Sequence, residues 1–168
     1  MKMTSAEASK LLRQLTDQLN SLESMEQTTR SYVAATIEDP ESVRPEYDYS
    51  ETQAQIIELE NKIRAVKHAI YLFNTQTVIP VFNMTVDSML VYLPQLSHRK
   101  AKLSRMKNVL PKERCGGRTG STPFIEYRYA NYDLEKVKED YEAVSALLYR
   151  AQTALDNVNS TVQFDIDI

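Results

Sequence analysis

Thirteen residues, Pro111-Lys-Glu-Arg-Cys-Gly-Gly-Arg-Thr-Gly-Ser-Thr-Pro123, hold all three glycines of the 168-residue chain. Glycine lets a backbone wrap an anion with its N–H groups inward, and arginine adds a planar, permanently charged fork. Lys112, Arg114 and Arg118 would neutralise phosphate here, the Gly116-Gly117 backbone would cradle it, and the hydroxyls of Thr119, Ser121 and Thr122 would donate to its oxygens. Just beyond, Tyr127, Arg128, Tyr129 and Tyr132 offer flat faces on which a base could stack. The chemistry expected is the holding of a phosphorylated, nucleotide-type small molecule. The Gly-Lys-Ser/Thr sequence of a Walker loop is not present, and no helix directly follows. A plainer role stands beside this one: a surface loop whose charges offset acidic helices nearby.

Charge is distributed in blocks. Residues 1–60 carry 5 basic and 12 acidic groups, net −7, and residues 61–97 are +2. Residues 98–118 hold 8 basic and 1 acidic, net +7, and residues 119–168 are −5. The positive block starts before the loop with Arg99, Lys102 and Arg105, a secondary basic face. Because the whole chain is −3, blanket electrostatic attraction to nucleic acid is not expected.

Catalytic and metal chemistry have little to work with. Cys115 lies between Arg114 and Gly116, a setting that favours a thiolate, but a nucleophile needs a base, and the two histidines, His68 and His98, are far off in sequence. A His68–His98 metal pair helped by Glu58 or Glu60 lacks the Glu-x-x-His spacing of bundle metal sites. One cysteine also excludes an intrachain disulfide framework. No catalytic residue, metal or cofactor is assigned, and the chain is read as a non-enzyme.

The elements that would position the loop are helical. Thr4 with Glu7 has capping-box spacing, and Ala8, Leu12, Leu15, Leu19 and Leu22 form an apolar stripe, predicting a helix over 4–29. Ser50 with Gln53 opens a second, 50–73, with stripe Ile56, Leu59, Ile63, Val66, Ile70 and Phe73. Thr85 caps a third, 85–107, where Leu90, Leu93, Leu96 and Leu103 form the stripe and Pro94 predicts a kink. Asp133 caps the fourth, 133–158, whose stripe runs Leu134, Val137, Tyr141, Val144, Leu148, Ala151, Leu155, Val158. Residues 31–37, 77–84, 124–131 and 161–168 read as short strands that pair into a small sheet or across subunits.

The fold expected is mainly α: a long antiparallel bundle of four helices with a small β element, one domain over 1–168. Thin bundles have much surface for their volume, and ten tyrosines with no tryptophan suit half-wet contacts, so a homo-oligomer is expected. No stretch reaches 18 apolar residues and the start leads into an amphipathic helix, so a cytoplasmic protein without membrane contact is expected.

The chain resembles an uncharacterised bacterial family of helical proteins, some of which carry a septicolysin-like label. The residues that carry the likeness are the Asn74-Thr75 turn, Met84-Thr85-Val86-Asp87-Ser88-Met89-Leu90, the arginine loop, Ile125-Glu-Tyr-Arg-Tyr129, Tyr132-Asp133-Leu134 and Leu155-Asp-Asn-Val-Asn159. Members end near a tryptophan; here Phe164 is the nearest aromatic. The resemblance implies a helical fold over nearly the whole chain and brings no agreed activity or functional residue. Function therefore rests on the loop. The leading expectation is a non-enzymatic homo-oligomer that sequesters a phosphorylated ligand. The alternative is an assembly or scaffold protein acting through its heptad faces and Tyr-rich strands.

Overall fold

A computed structural model describes residues 1–115 and 125–168. It shows a mainly α protein with four long helices and a minor β element. The order is β1 (Lys2–Thr4), α1 (Ser5–Thr29), α2 (Tyr49–Gln76), β2 (Val78–Ile79), β3 (Met84–Thr85), α3 (Val86–Lys107), β4 (Lys112–Arg114), β5 (Tyr127–Tyr129), α4 (Leu134–Thr161) and β6 (Gln163–Asp165). The chain divides into two compact units, Met1–Thr77 with Asn157–Ile168, and Val78–Asp156.

In the first unit α1 and α2 form an antiparallel hairpin. The capping box is in place: the Thr4 hydroxyl accepts from the Glu7 N–H, and the Glu7 carboxylate accepts from the Thr4 N–H at 2.8 Å. Helix α2 starts from Asp48, whose carboxylate accepts from the Glu51 N–H at 2.9 Å, not from Ser50 as the spacing suggested. Asp at that place adds a negative charge at the positive helix end. At the far end of α1, Glu26 accepts from the Tyr47 hydroxyl and from the Gln53 amide, each at 2.8 Å, tying it to the start of α2. Ala8 and Leu15 of α1 meet Ile63 and Val66 of α2 in one core with Met3 and Ile166, and Leu12, Leu19, Leu59 and Ile70 pack around it. Each lies on the heptad stripe its helix was read to have, or on the β1–β6 ribbon.

The second unit pairs the end of α3 with the start of α4. The Tyr132 hydroxyl donates to the Met106 carbonyl at 2.9 Å, and the Lys107 ammonium sits 3.5 Å from the centre of the Tyr141 ring. Thr85 and Asp133 cap α3 and α4 as expected. Helix α3 runs unbroken from Val86 to Lys107 with Pro94 inside it. Its buried side chains are Val86, Met89 and Leu96, with Leu93 and Leu103 half-buried on the same stripe, while Leu90 is exposed beside it. Valine and methionine bury as well as leucine, so Val86 and Met89 take the first places on the stripe that Leu93, Leu96 and Leu103 continue as read. On α4, Val137, Val144, Leu148, Ala151 and Leu155 are buried as read.

Among the described residues, strands form three separate two-stranded antiparallel ribbons, β1–β6, β2–β3 and β4–β5, in place of one small sheet. Segment 31–37 is a loop and turn with no strand partner. Residues 77–84 fold back on themselves as the β2–β3 hairpin, with Asn83 at φ 49°, a left-handed position that asparagine tolerates. The strands Lys2–Thr4 and Lys112–Arg114 are too short to show alternation, and the sequence reading missed both.

Candidate functional site

The β4–β5 ribbon gathers the residues expected to bind a ligand. Its register sets Lys112 opposite Tyr129, Glu113 opposite Arg128 and Arg114 opposite Tyr127. The Ala130 N–H donates to the Pro111 carbonyl at 3.2 Å and the Cys115 N–H to the Glu126 carbonyl at 2.9 Å. Alternation along an antiparallel pair then makes Lys112/Tyr129 and Arg114/Tyr127 the non-hydrogen-bonded pairs, where opposed side chains stand closest. Two cations and two phenol rings therefore share one face, and all four are exposed. The Lys112 ammonium lies 4.1 Å from the centre of the Tyr127 ring and 5.5 Å from that of Tyr129. The two rings are 6.5 Å apart and tilted by 50°. A cation over a ring face at this distance is held by the ring quadrupole.

Arg128 falls on the opposite face, across from Glu113, and Cys115 shares that face with Glu126. Of the residues read as one ligand set, the ribbon brings Lys112, Arg114, Tyr127 and Tyr129 together and turns Arg128 away. Gly116, Gly117, Arg118, Thr119 and Ser121 lie outside the described residues.

The basic block of α3 is divided as well. Lys100 and Lys107 turn toward Tyr141 of α4, at 6.0 and 3.5 Å from its ring centre. Arg99, Lys102 and Arg105 stay exposed, and Arg99 and Lys102 line a shallow surface depression with Pro94, Gln95 and His98. His68 belongs to the first unit, where it lies on the rim of a cavity beside α2. Among the described residues, no group of three or more His, Cys, Asp or Glu could hold a metal ion, and no helix is long and apolar enough to cross a membrane.

The sequence reading missed one feature of this chain. A cavity of about 410 Å³ lies in the first unit between the last third of α2 and β6. Phe73 and Phe164 stack in its wall with ring centres 4.7 Å apart. The signal was present, since Phe73 closes the α2 stripe and Phe164 alternates with Ile166, but nothing in either pattern joins the two segments.

No family model matches the chain, and no curated protein matches it. Among solved structures it is similar to a functionally unknown conserved protein from Corynebacterium diphtheriae, with a TM-score of 0.61 and 14% sequence identity over 98% of this chain and 100% of that one. The likeness shows the fold over nearly the whole length. It is consistent with the uncharacterised helical group that the sequence resembles.

Proposed function

We propose that this protein is a non-enzymatic, homo-oligomeric binding protein that holds a small phosphorylated, nucleotide-type ligand on the exposed face of the β4–β5 ribbon. One observation carries the reading: Lys112 and Arg114 share that face with Tyr127 and Tyr129, at positions where opposed side chains stand closest. Phosphate would be neutralised by Lys112 and Arg114, the arginine as a bidentate fork, while a Tyr ring stacks the base. By residue type, Gly116, Gly117, Arg118, Thr119 and Ser121 add backbone and hydroxyl donors where the chain leaves Arg114. Sequestration needs affinity and no proton-transfer group, which suits a face built of cations and rings alone.

Calorimetric titration with nucleoside mono-, di- and triphosphates tests the reading. Hydrogen bonds to charged groups contribute about 1.5–3 kcal/mol each, so Arg114→Ala should weaken binding by roughly 10- to 150-fold. Lys112→Ala with Arg114→Ala should abolish it while the far-UV spectrum stays helical. Equal affinity in the double variant would exclude this face. Salt separates the assembly alternative, since contacts between the basic block and acidic surfaces weaken with ionic strength, whereas a specific nucleotide raises Tm at constant salt.

A further inference from the structure

The β1–β6 ribbon has an open edge. The Met1 amine donates to the Ile166 carbonyl at 2.7 Å and the Ile166 N–H to the Met1 carbonyl at 2.8 Å, so Met1 and Ile166 are a hydrogen-bonded pair. The register Lys2↔Asp165, Met3↔Phe164, Thr4↔Gln163 then makes Lys2/Asp165 and Thr4/Gln163 the non-hydrogen-bonded pairs, whose N–H and C=O groups point out of the ribbon. On the β1 side the outward Thr4 N–H is taken by Glu7. On the β6 side the outward backbone of Gln163 and Asp165, with Asp167 in the same phase, borders the cavity described above, across from Ala65, Ala69 and Phe73. A strand edge with no partner among the described residues, beside a cavity walled by Phe73 and Phe164, is the arrangement to which an extended segment adds as a further strand.

The same unit carries a segment that fits it. Residues 31–35, Ser-Tyr-Val-Ala-Ala, are uncharged, belong to no helix or strand and have no strand partner among the described residues, and Val33 is 93% exposed. Arg30 precedes them, opposite in charge to Asp165 and Asp167. The segment cannot reach the edge of its own chain. The Glu26 bonds to Tyr47 and Gln53 hold it at the start of α2, while the cavity lies around Ala69, about 24 Å further along that helix at 1.5 Å per residue.

We infer that residues 31–35 of a second copy of this chain add to the free edge of β6 as an antiparallel strand, seating Val33 in the cavity against Phe164. The register that places Arg30 opposite Asp167 also sets Tyr32 opposite Asp165, Val33 opposite Phe164 and Ala34 opposite Gln163. Tyr32 and Ala34 then exchange backbone hydrogen bonds with Asp165 and Gln163, and Val33 meets Phe164 at a non-hydrogen-bonded position. Because loop and cavity lie at opposite ends of the α1–α2 hairpin, two copies set antiparallel exchange segments reciprocally and the assembly closes as a dimer. The inference takes up the homo-oligomer of the proposed function and is independent of any ligand on β4–β5.

Disulfide trapping tests the register. Tyr32→Cys with Asp165→Cys, in a Cys115→Ser background, should give a covalent dimer under mild oxidation at least tenfold faster than either single cysteine. In sedimentation velocity at about 50 μM, the wild type should be a dimer and Val33→Asp a monomer with an unchanged far-UV spectrum and unchanged nucleotide binding. A monomeric wild type, a dimeric Val33→Asp, or a paired variant that cross-links no faster than its singles would overturn the inference. Loss of nucleotide binding in Lys112→Ala/Arg114→Ala, with the dimer intact, bears on the ribbon alone.

Discussion

Lys112 shows how one side chain's neighbours define its chemistry. Its ammonium lies over Tyr127 and near Tyr129, so the cation and both rings form one exposed surface, the one proposed to hold the ligand. Tyr127→Ala removes the ring beneath the ammonium and one stacking partner together. Stacking contributes about 1–3 kcal/mol per base, and nucleotide affinity should fall roughly 5- to 150-fold by calorimetry while inorganic phosphate binding changes less. Equal losses for both ligands would mean that the ring only positions Lys112. In the first turn of α1, Glu7 is held below the ordinary carboxylate range, chiefly by the Thr4 N–H, then by the Thr4 hydroxyl, with the charge of Lys10 helping. A carboxyl lowered in the folded state contributes stability above its unfolded pKa and loses it as pH falls through the folded one. Melting temperature should therefore drop in acid, and Glu7→Gln, which keeps the capping acceptor, should lose this part of the drop in melts from pH 7 to pH 3. An identical acid slope in the variant would remove Glu7 from the account.

At the scale of elements, the periodic stripes were the legible part. Leu15, Ile63, Val66 and Leu148 were read as core from spacing alone and are buried. Thr4, Thr85 and Asp133 were read as caps because side-chain acceptors at those spacings satisfy helix-end donors, a local effect visible in sequence. What failed was long-range. Strand pairing depends on which segments the helices bring together, and no local pattern joins Lys2–Thr4 to Gln163–Asp165 or Lys112–Arg114 to Tyr127–Tyr129. The candidate face was legible in its residue types, and alternation along 124–131 sets Arg128 apart from Tyr127 and Tyr129 in the sequence; only the register shows that Lys112 and Arg114 join the two rings. Pro94 is exposed within α3, where it removes one helical hydrogen bond. Pro94→Ala should raise Tm, by about 1–3 kcal/mol in stability, once the added freedom of the unfolded chain is set against the restored bond. Leu96, 1% exposed on the same helix, should lose about 2–5 kcal/mol as Leu96→Ala, read from urea unfolding. A Pro94→Ala variant no more stable than wild type would show that the helix bends there to serve its packing. The Tyr47–Glu26 bond works in the opposite pH range. Hydrogen bonding to Glu26 raises the tyrosine, so the bond's contribution is present below the ordinary tyrosine value and is lost as pH rises through the raised one.

For the molecule as a whole, charge and exposure point in one direction. The chain is −3 overall, yet its positive groups concentrate in residues 98–118, and part of that block, Lys100 and Lys107, is spent on Tyr141. Arg99, Lys102, Arg105, Lys112 and Arg114 remain exposed, so the surface is locally positive there on a chain that is negative overall. The most exposed apolar side chains lie in the loop after α1, where Val33 and Ile37 are 93% and 96% exposed. Two surfaces of different chemistry fit two tasks, ligand capture on the ribbon and self-association through the loop. The most direct test of the central claim is native mass spectrometry of the full chain incubated with a mixture of nucleoside mono-, di- and triphosphates. The account predicts a specific nucleotide adduct on the wild type that disappears in Lys112→Ala/Arg114→Ala; no adduct on the wild type, or the same adduct on both proteins, would contradict it.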